Sequence, residues 1–128
     1  MKVCVLSLCE VGLPTAKYIL SKGYEVYGYD ISSTAIKRAE GEGVLEATDI
    51  WDEVPSVDVY VVCISTLLKG DVPDLSPVFD VCEKLHNKRR KNRNGKGNIK
   101  LANTNRHAET NLKKLYNINF KPICGIKR

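Results

Sequence analysis

A chain of 128 residues with 43% apolar and 27% charged side chains holds enough apolar material for a packed core and fits one domain of ordinary size or one lobe of something larger. It contains no uninterrupted apolar run of about 18 residues, which excludes a transmembrane helix. The net charge of +5 averages two unlike stretches: residues 1–85 carry 7 basic and 14 acidic side chains, whereas residues 86–128 carry 13 basic and one acidic and hold all nine asparagines. Apolar content falls at the same point, so the sequence divides into a globular part, 1–85, and a basic Asn/Lys/Arg-rich segment, 86–128.

In chain order, Lys2–Leu8 is a short apolar run whose continuity, rather than alternation, predicts a strand buried on both faces, as in a parallel sheet. Glu10 and Pro14 interrupt it and no small-residue cleavage site follows, so it reads as a first strand and not a signal peptide. Gly12 opens a helix with Pro14 in its first turn and Leu13, Ala16, Ile19 and Leu20 on one face; Lys22-Gly23 closes it. Glu25–Asp30 is a second strand ending in an acid, which completes a β-α-β unit. A short helix is predicted from about 33 to 39, stopped by Gly41-Glu-Gly43, then a brief strand over 44–47, with Trp51 and Val54 packing in the segment that follows.

Asp58–Ser65 is the strongest strand pattern in the chain. Ser76-Pro77 reads as an N-cap followed by proline at the first helical position, and Val78, Phe79, Val81, Cys82 and Leu85 give that helix a buried face. Alternating strands and helices predict an α/β, Rossmann-like doubly wound parallel sheet, incomplete within 1–85. Beyond Leu85 the residues offer only an edge strand at 99–101 and weak helical spacing over 111–120. The run from His86 to Lys100 admits three readings: an arm for nucleic acid, a disordered solvated tail, or a frame-shifted product of A-rich codons. It contains no aromatic residue to stack on bases, which weighs against nucleic acid.

Five cysteines without a C-x-x-C pair predict a reduced, cytoplasmic chain in which Cys4, Cys63 and Cys82 serve as small core residues. His86 and His107 are isolated, and no metal site is predicted.

The chemistry is expected between the first strand and first helix. A dinucleotide-binding turn has the pattern G-x-G-x-x-G: a tight turn, close approach of the pyrophosphate to backbone, and close helix–strand packing. Those positions are Ser7, Cys9 and Gly12 here, so only the third glycine remains. Asp30 stands 18 residues after Gly12, at a strand end suited to an acid that holds ribose hydroxyls.

The opening Met1–Ala16, and Val11-Gly-Leu-Pro-Thr-Ala16 above all, resembles the start of the UDP-glucose/GDP-mannose dehydrogenases, the nucleotide-sugar 6-dehydrogenases. Gly28-Tyr-Asp30, Cys63-Ile-Ser-Thr66, Lys69-Gly-Asp71 and Pro73-Asp-Leu-Ser76 are similar to further stretches of that family, particularly of members oxidising UDP-N-acetylmannosamine. The resemblance covers 1–85 and implies an amino-terminal NAD-binding domain, with NAD as cofactor and Ser7, Cys9, Val11, Gly12, Asp30, Ser65 and Thr66 around it. The parent reaction it implies is NAD-dependent oxidation of a nucleotide-sugar C6 alcohol to the carboxylate.

Departures from the family pattern predict weakened or lost NAD binding. Cys9 puts a side chain where backbone should meet pyrophosphate, and Glu10 adds a negative charge, worth about 3 kcal/mol of repulsion per phosphate charge at about 5 Å and an effective dielectric near 20. Ala35 stands where a basic residue often follows the ribose acid, and the stretch between the second and fourth strands is short. The family's catalytic cysteine and lysine belong to a later part of a much longer chain, and none of the five cysteines here has the nucleophile's context, so no catalytic residue is assigned. The chain alone is therefore expected not to work as a dehydrogenase, and a nucleotide-sugar partner is expected only with the missing half supplied. The alternative is a non-catalytic α/β module whose basic tail binds an anionic partner such as RNA.

Overall fold

The computed structural model describes residues 1–43, 46–64, 68–74, 76–91, 98–101 and 120–122. Strand β1 is Lys2–Leu6, followed by helix α1 (Gly12–Ser21), β2 (Glu25–Tyr29), α2 (Ser33–Gly41) and β3 (Glu46–Thr48). A single 3-10 turn at Trp51–Glu53 leads to β4 (Val59–Val62); the small strands β5 (Leu68–Lys69) and β6 (Val72–Pro73) precede α3 (Ser76–Lys91). Beyond it lie β7 (Asn98–Leu101) and β8 (Phe120–Pro122).

The main sheet has the order β3-β2-β1-β4-β7-β8, and every pair in it is parallel. Continuous apolar runs make this possible because successive side chains enter opposite layers. Val3 and Val5 point to the layer of α1 and α2, joined there by Leu8, Leu13, Ala16, Val26, Ala39, Val59, Val61 and Cys63. Cys4 and Leu6 point to the other layer, where Tyr60 and Val62 meet Val78, Val81, Cys82 and Leu85 of α3. Helices thus cover both faces of a Rossmann-like, doubly wound sheet, with β1 at its centre.

Cys4, Cys63 and Cys82 are fully or almost fully buried, as their apolar neighbours in sequence suggest. Burial pushes the Cys4 and Cys63 thiols up to about 12 and Cys82 up to about 11, so all three are inert protonated thiols at neutral pH.

Several element ends differ from the sequence reading for local reasons. β1 stops at Leu6, two residues early, because Ser7 turns out of the sheet with φ +78°. Ser76 is the first helical residue of α3 and not its cap: its N–H and hydroxyl both donate to Oδ1 of Asp74, at 3.0 and 2.6 Å. The helix runs past Leu85 to Lys91. There Lys88 lies over the Trp51 ring, 4.8 Å from its centroid, and its Nζ donates to the carbonyl oxygens of Trp51 and Val54. A basic residue therefore joins the domain through its ammonium group, which the apolar pattern could not show.

The edge strand expected at 99–101 is Asn98–Leu101, an inner strand with β8 outside it, so two strands beyond residue 86 extend the sheet. The antiparallel pair β5–β6 was not foreseen; its turn contains Gly70 at φ +67°. The segment 44–45, most of the helix expected at 111–120, His107 and Cys124 lie outside the described residues. No helix among the described residues is long and apolar enough to cross a membrane.

Candidate dinucleotide site

In an open parallel sheet, neighbouring strands whose crossovers leave in opposite directions create a crevice at their carboxyl ends. Here β1 is that strand, since the chain proceeds to β2 on one side and returns to β4 on the other. The crevice is a cavity of about 520 Å³ between the β1–α1 loop, the end of β2, the start of α2 and one face of α3.

The loop's shape follows from two residues. Ser7 has a positive φ, the conformation a glycine would take without penalty, and its N–H donates to the Tyr29 carbonyl at 2.8 Å. The Ser7 carbonyl is thereby turned onto the start of α1, where a Cβ on Gly12 would lie 1.7 Å from the oxygen. Gly12 is thus required by close approach, the role expected of the third glycine. Gly28 on β2 has a similar duty: a Cβ there would stand 2.8 Å from Cδ1 of Leu8, which is fully buried.

Asp30 ties the loop to β2. Its Oδ2 accepts from the Leu8 N–H and its Oδ1 from the Ser32 N–H, both at 2.8 Å, and its own N–H donates to the Thr48 carbonyl at 3.2 Å. Two charge-assisted bonds fix the carboxylate at the mouth of the crevice, and each oxygen keeps a lone pair for a ligand hydroxyl. Ser32 then caps α2 by accepting from the Ala35 N–H at 3.4 Å.

α1 begins without a side-chain cap: Val11, its N-cap, has helical φ and ψ. Its carbonyl instead accepts from the Thr15 hydroxyl at 2.7 Å. Of the first helical residues, Leu13 donates its N–H to the Cys9 carbonyl at 3.1 Å and Thr15 to the Val11 carbonyl at 3.2 Å, and Pro14 has none, which leaves the Gly12 N–H for an anion. Cys9, half-buried, donates its thiol to the Cys63 carbonyl at 3.4 Å, so its side chain reaches toward the end of β4. Glu10 is exposed and lines both the crevice and a shallower cavity beside it.

Of the seven residues expected around a cofactor, Ser7, Cys9, Val11, Gly12 and Asp30 converge on this loop, and Ser7, Cys9 and Asp30 line the crevice itself. Ser65 and Thr66 lie outside the described residues. Sequence reasoning missed Ile31, Thr34, Arg38 and Lys84, which also line the crevice. The i, i+4 spacing of Thr34 and Arg38 on α2 was the available signal for two of them. Among the described residues there is no cluster of three or more His, Cys, Asp or Glu side chains fit to hold a metal ion.

No family model matches the sequence. A UDP-N-acetyl-D-mannosamine dehydrogenase from Pyrococcus horikoshii is 36% identical over 95 residues, covering 59% of this chain and 23% of that protein. The solved UDP-D-ManNAc dehydrogenase of the same organism superposes with a TM-score of 0.70 at 26% identity, over 95% of this chain and 35% of that one. GDP-mannose dehydrogenase from Pseudomonas aeruginosa gives 0.68 at 20%, over 95% and 35%. Lactate dehydrogenase from Eimeria maxima, solved with NADH and oxamate, gives 0.65 at 13%, over 98% and 44%; these last two likenesses are of fold alone. The chain spans about a quarter of the length of the curated relatives it matches. With its doubly wound sheet, its Gly12 turn and its strand-end Asp30, the chain is similar to the amino-terminal Rossmann unit of nucleotide-sugar dehydrogenases, UDP-N-acetyl-D-mannosamine dehydrogenases in particular.

Proposed function

We propose that this chain is an NAD-binding unit of a nucleotide-sugar dehydrogenase, with the adenosine half of the cofactor seated in the crevice between β1, β2 and α2. The observation that carries this reading is the Asp30 carboxylate, fixed by the Leu8 and Ser32 N–H groups at the open end of β2. The residues present fit the group. Asp30 offers acceptors to ribose hydroxyls, Gly12 at the start of α1 offers an N–H donor to a pyrophosphate, and the Cys9 thiol is drawn toward Cys63. NAD, when bound, supplies a hydride acceptor.

The chain's own residues position and bind. Ser7 and Gly12 hold the loop in its tight turn, and Leu8 under Gly28 packs the loop against β2. The buried thiols of Cys4, Cys63 and Cys82, held protonated by desolvation, are unsuited to act as nucleophiles. We assign the alcohol-to-carboxylate chemistry of the parent reaction, and the contacts to a UDP-sugar, to sequence beyond the family-like part of this chain.

Calorimetric titration of the full chain with NAD tests the reading. Saturable binding that Asp30→Ala weakens about tenfold or more supports it. No heat at millimolar NAD, together with salt-sensitive binding of RNA, overturns it in favour of an α/β module whose basic residues 86–128 engage an anionic partner.

A further inference from the structure

We propose that Arg38 is the residue that holds a cofactor pyrophosphate in this chain, offsetting the Glu10 carboxylate that stands beside the loop; the inference rests on the NAD-binding reading above.

Three cations surround the loop, and they differ in what they are already doing. Lys17, on α1, is paired with Glu42 at 3.0 Å. Lys84, on α3, donates to the Tyr29 hydroxyl at 3.3 Å and lies over the same ring, 5.6 Å from its centroid. Arg38 has no ion-pair or hydrogen-bond partner for its guanidinium among the described residues. It is exposed, on the face of α2 that also carries Thr34 and Ala35 into the crevice. Ala35, one turn before it, lines the same crevice.

Arg38 also shares its surroundings with Glu10. Both line the main crevice of about 520 Å³ and the adjoining shallow cavity of about 420 Å³, and Cys9 is the third residue common to the two. The two cavities share Cys9 and Glu10, just before α1, where Leu13 and Thr15 already donate their N–H groups to the Cys9 and Val11 carbonyls and Pro14 has none, so the backbone alone offers an anion little beyond the Gly12 N–H. Glu10 makes that point repulsive to phosphate, and Arg38 is the available group of opposite charge on the same walls. A guanidinium donates in a planar fork that matches two phosphate oxygens, which an ammonium cannot copy. The chemical class selected is therefore a nucleoside diphosphate or dinucleotide rather than a bare nucleoside.

The test is a set of calorimetric titrations on the full chain with NAD, ADP-ribose and adenosine. The variants are Arg38→Gln, Arg38→Lys, Glu10→Gln and, as control, Lys17→Gln. The wild-type chain is expected to bind ADP-ribose at least tenfold more tightly than adenosine. Arg38→Gln should lower NAD and ADP-ribose affinity about tenfold and leave adenosine within twofold. Arg38→Lys should recover only part of the loss, Glu10→Gln should raise affinity for the two diphosphates, and Lys17→Gln should change neither. Unchanged melting temperatures without ligand would show that the exposed substitutions leave the fold intact. If wild-type chain binds NAD but Arg38→Gln binds the diphosphates as well as wild type does, or weakens adenosine equally, the assignment of Arg38 is wrong and the cofactor reading stands. If wild-type chain binds neither NAD nor adenosine, both are overturned.

Discussion

Replacing Gly12 with alanine isolates the packing on which the site depends. The new Cβ would stand 1.7 Å from the Ser7 carbonyl oxygen and 2.8 Å from the Ser7 carbonyl carbon, both backbone atoms that cannot rotate away. Ser7 already occupies φ +78° and its N–H is bonded to Tyr29, so the loop can relieve the clash only by moving as a unit. Overpacking of this kind costs about 1–3 kcal/mol, and displacing Ser7 and Leu8 endangers two hydrogen bonds worth about 1 kcal/mol each. We expect a loss of about 3 kcal/mol, or roughly 10 °C in melting temperature, for a domain of this size. Gly41, in the last turn of α2, has nothing within 4 Å of its Cβ position, so Gly41→Ala should stabilise by about 0.5–1 kcal/mol. Urea denaturation of both variants, followed by far-ultraviolet circular dichroism, measures the two effects on one scale. A Gly12→Ala midpoint within experimental error of wild type would refute the close-approach argument, and so would equal shifts for both variants.

Other outcomes follow from the same contacts. Ser7→Gly relieves a positive φ and should raise stability by up to about 1 kcal/mol, net of the glycine's greater freedom when unfolded, as read by the urea midpoint. Lys88→Met removes an ammonium that joins α3 to two carbonyls and the Trp51 ring, and thermal melting should record a loss of about 1–2 kcal/mol. Stability should fall steeply as pH rises above 9. Burial raises Cys4, Cys63 and Cys82 to between about 11 and about 12, so between pH 9 and those values the folded chain holds up to three protons that the unfolded chain releases. Lys88, lowered by burial, opposes this with at most one proton below its ordinary value of 10.5. Urea midpoints that stay flat between pH 8.5 and 10.5 would contradict the buried-thiol account. Iodoacetamide should leave those three cysteines unmodified until denaturant is added, as peptide mass mapping will show.

Much of this fold was legible because apolar continuity and glycine placement act locally. The patterns around Val3–Leu6, Leu13–Leu20 and Val78–Leu85 each predicted an element, and each supplies a buried face. The capping of α1 by Lys22 and Gly23, with φ +87° at the glycine, was also visible as a local signal. The misses share a different cause. That Lys88 anchors α3 on Trp51, and that 98–101 is an inner strand with 120–122 paired outside it, both depend on partners far away in sequence. The site was legible in the same measure. Gly12 and Asp30 were found by spacing, whereas Arg38 and Lys84 reach the crevice only because α2 and α3 flank the ends of β1 and β2.

The most direct test of the central claim is the response of individual backbone amides in ¹⁵N-labelled full chain to NAD. Saturable shifts at Leu8 through Gly12 and at Asp30 through Ala35 are predicted, because those residues form the loop, and the β2–α2 turn whose carboxylate Leu8 and Ser32 hold, along the crevice. Amides that stay fixed at millimolar NAD, or shifts confined to residues 86–128, would contradict it.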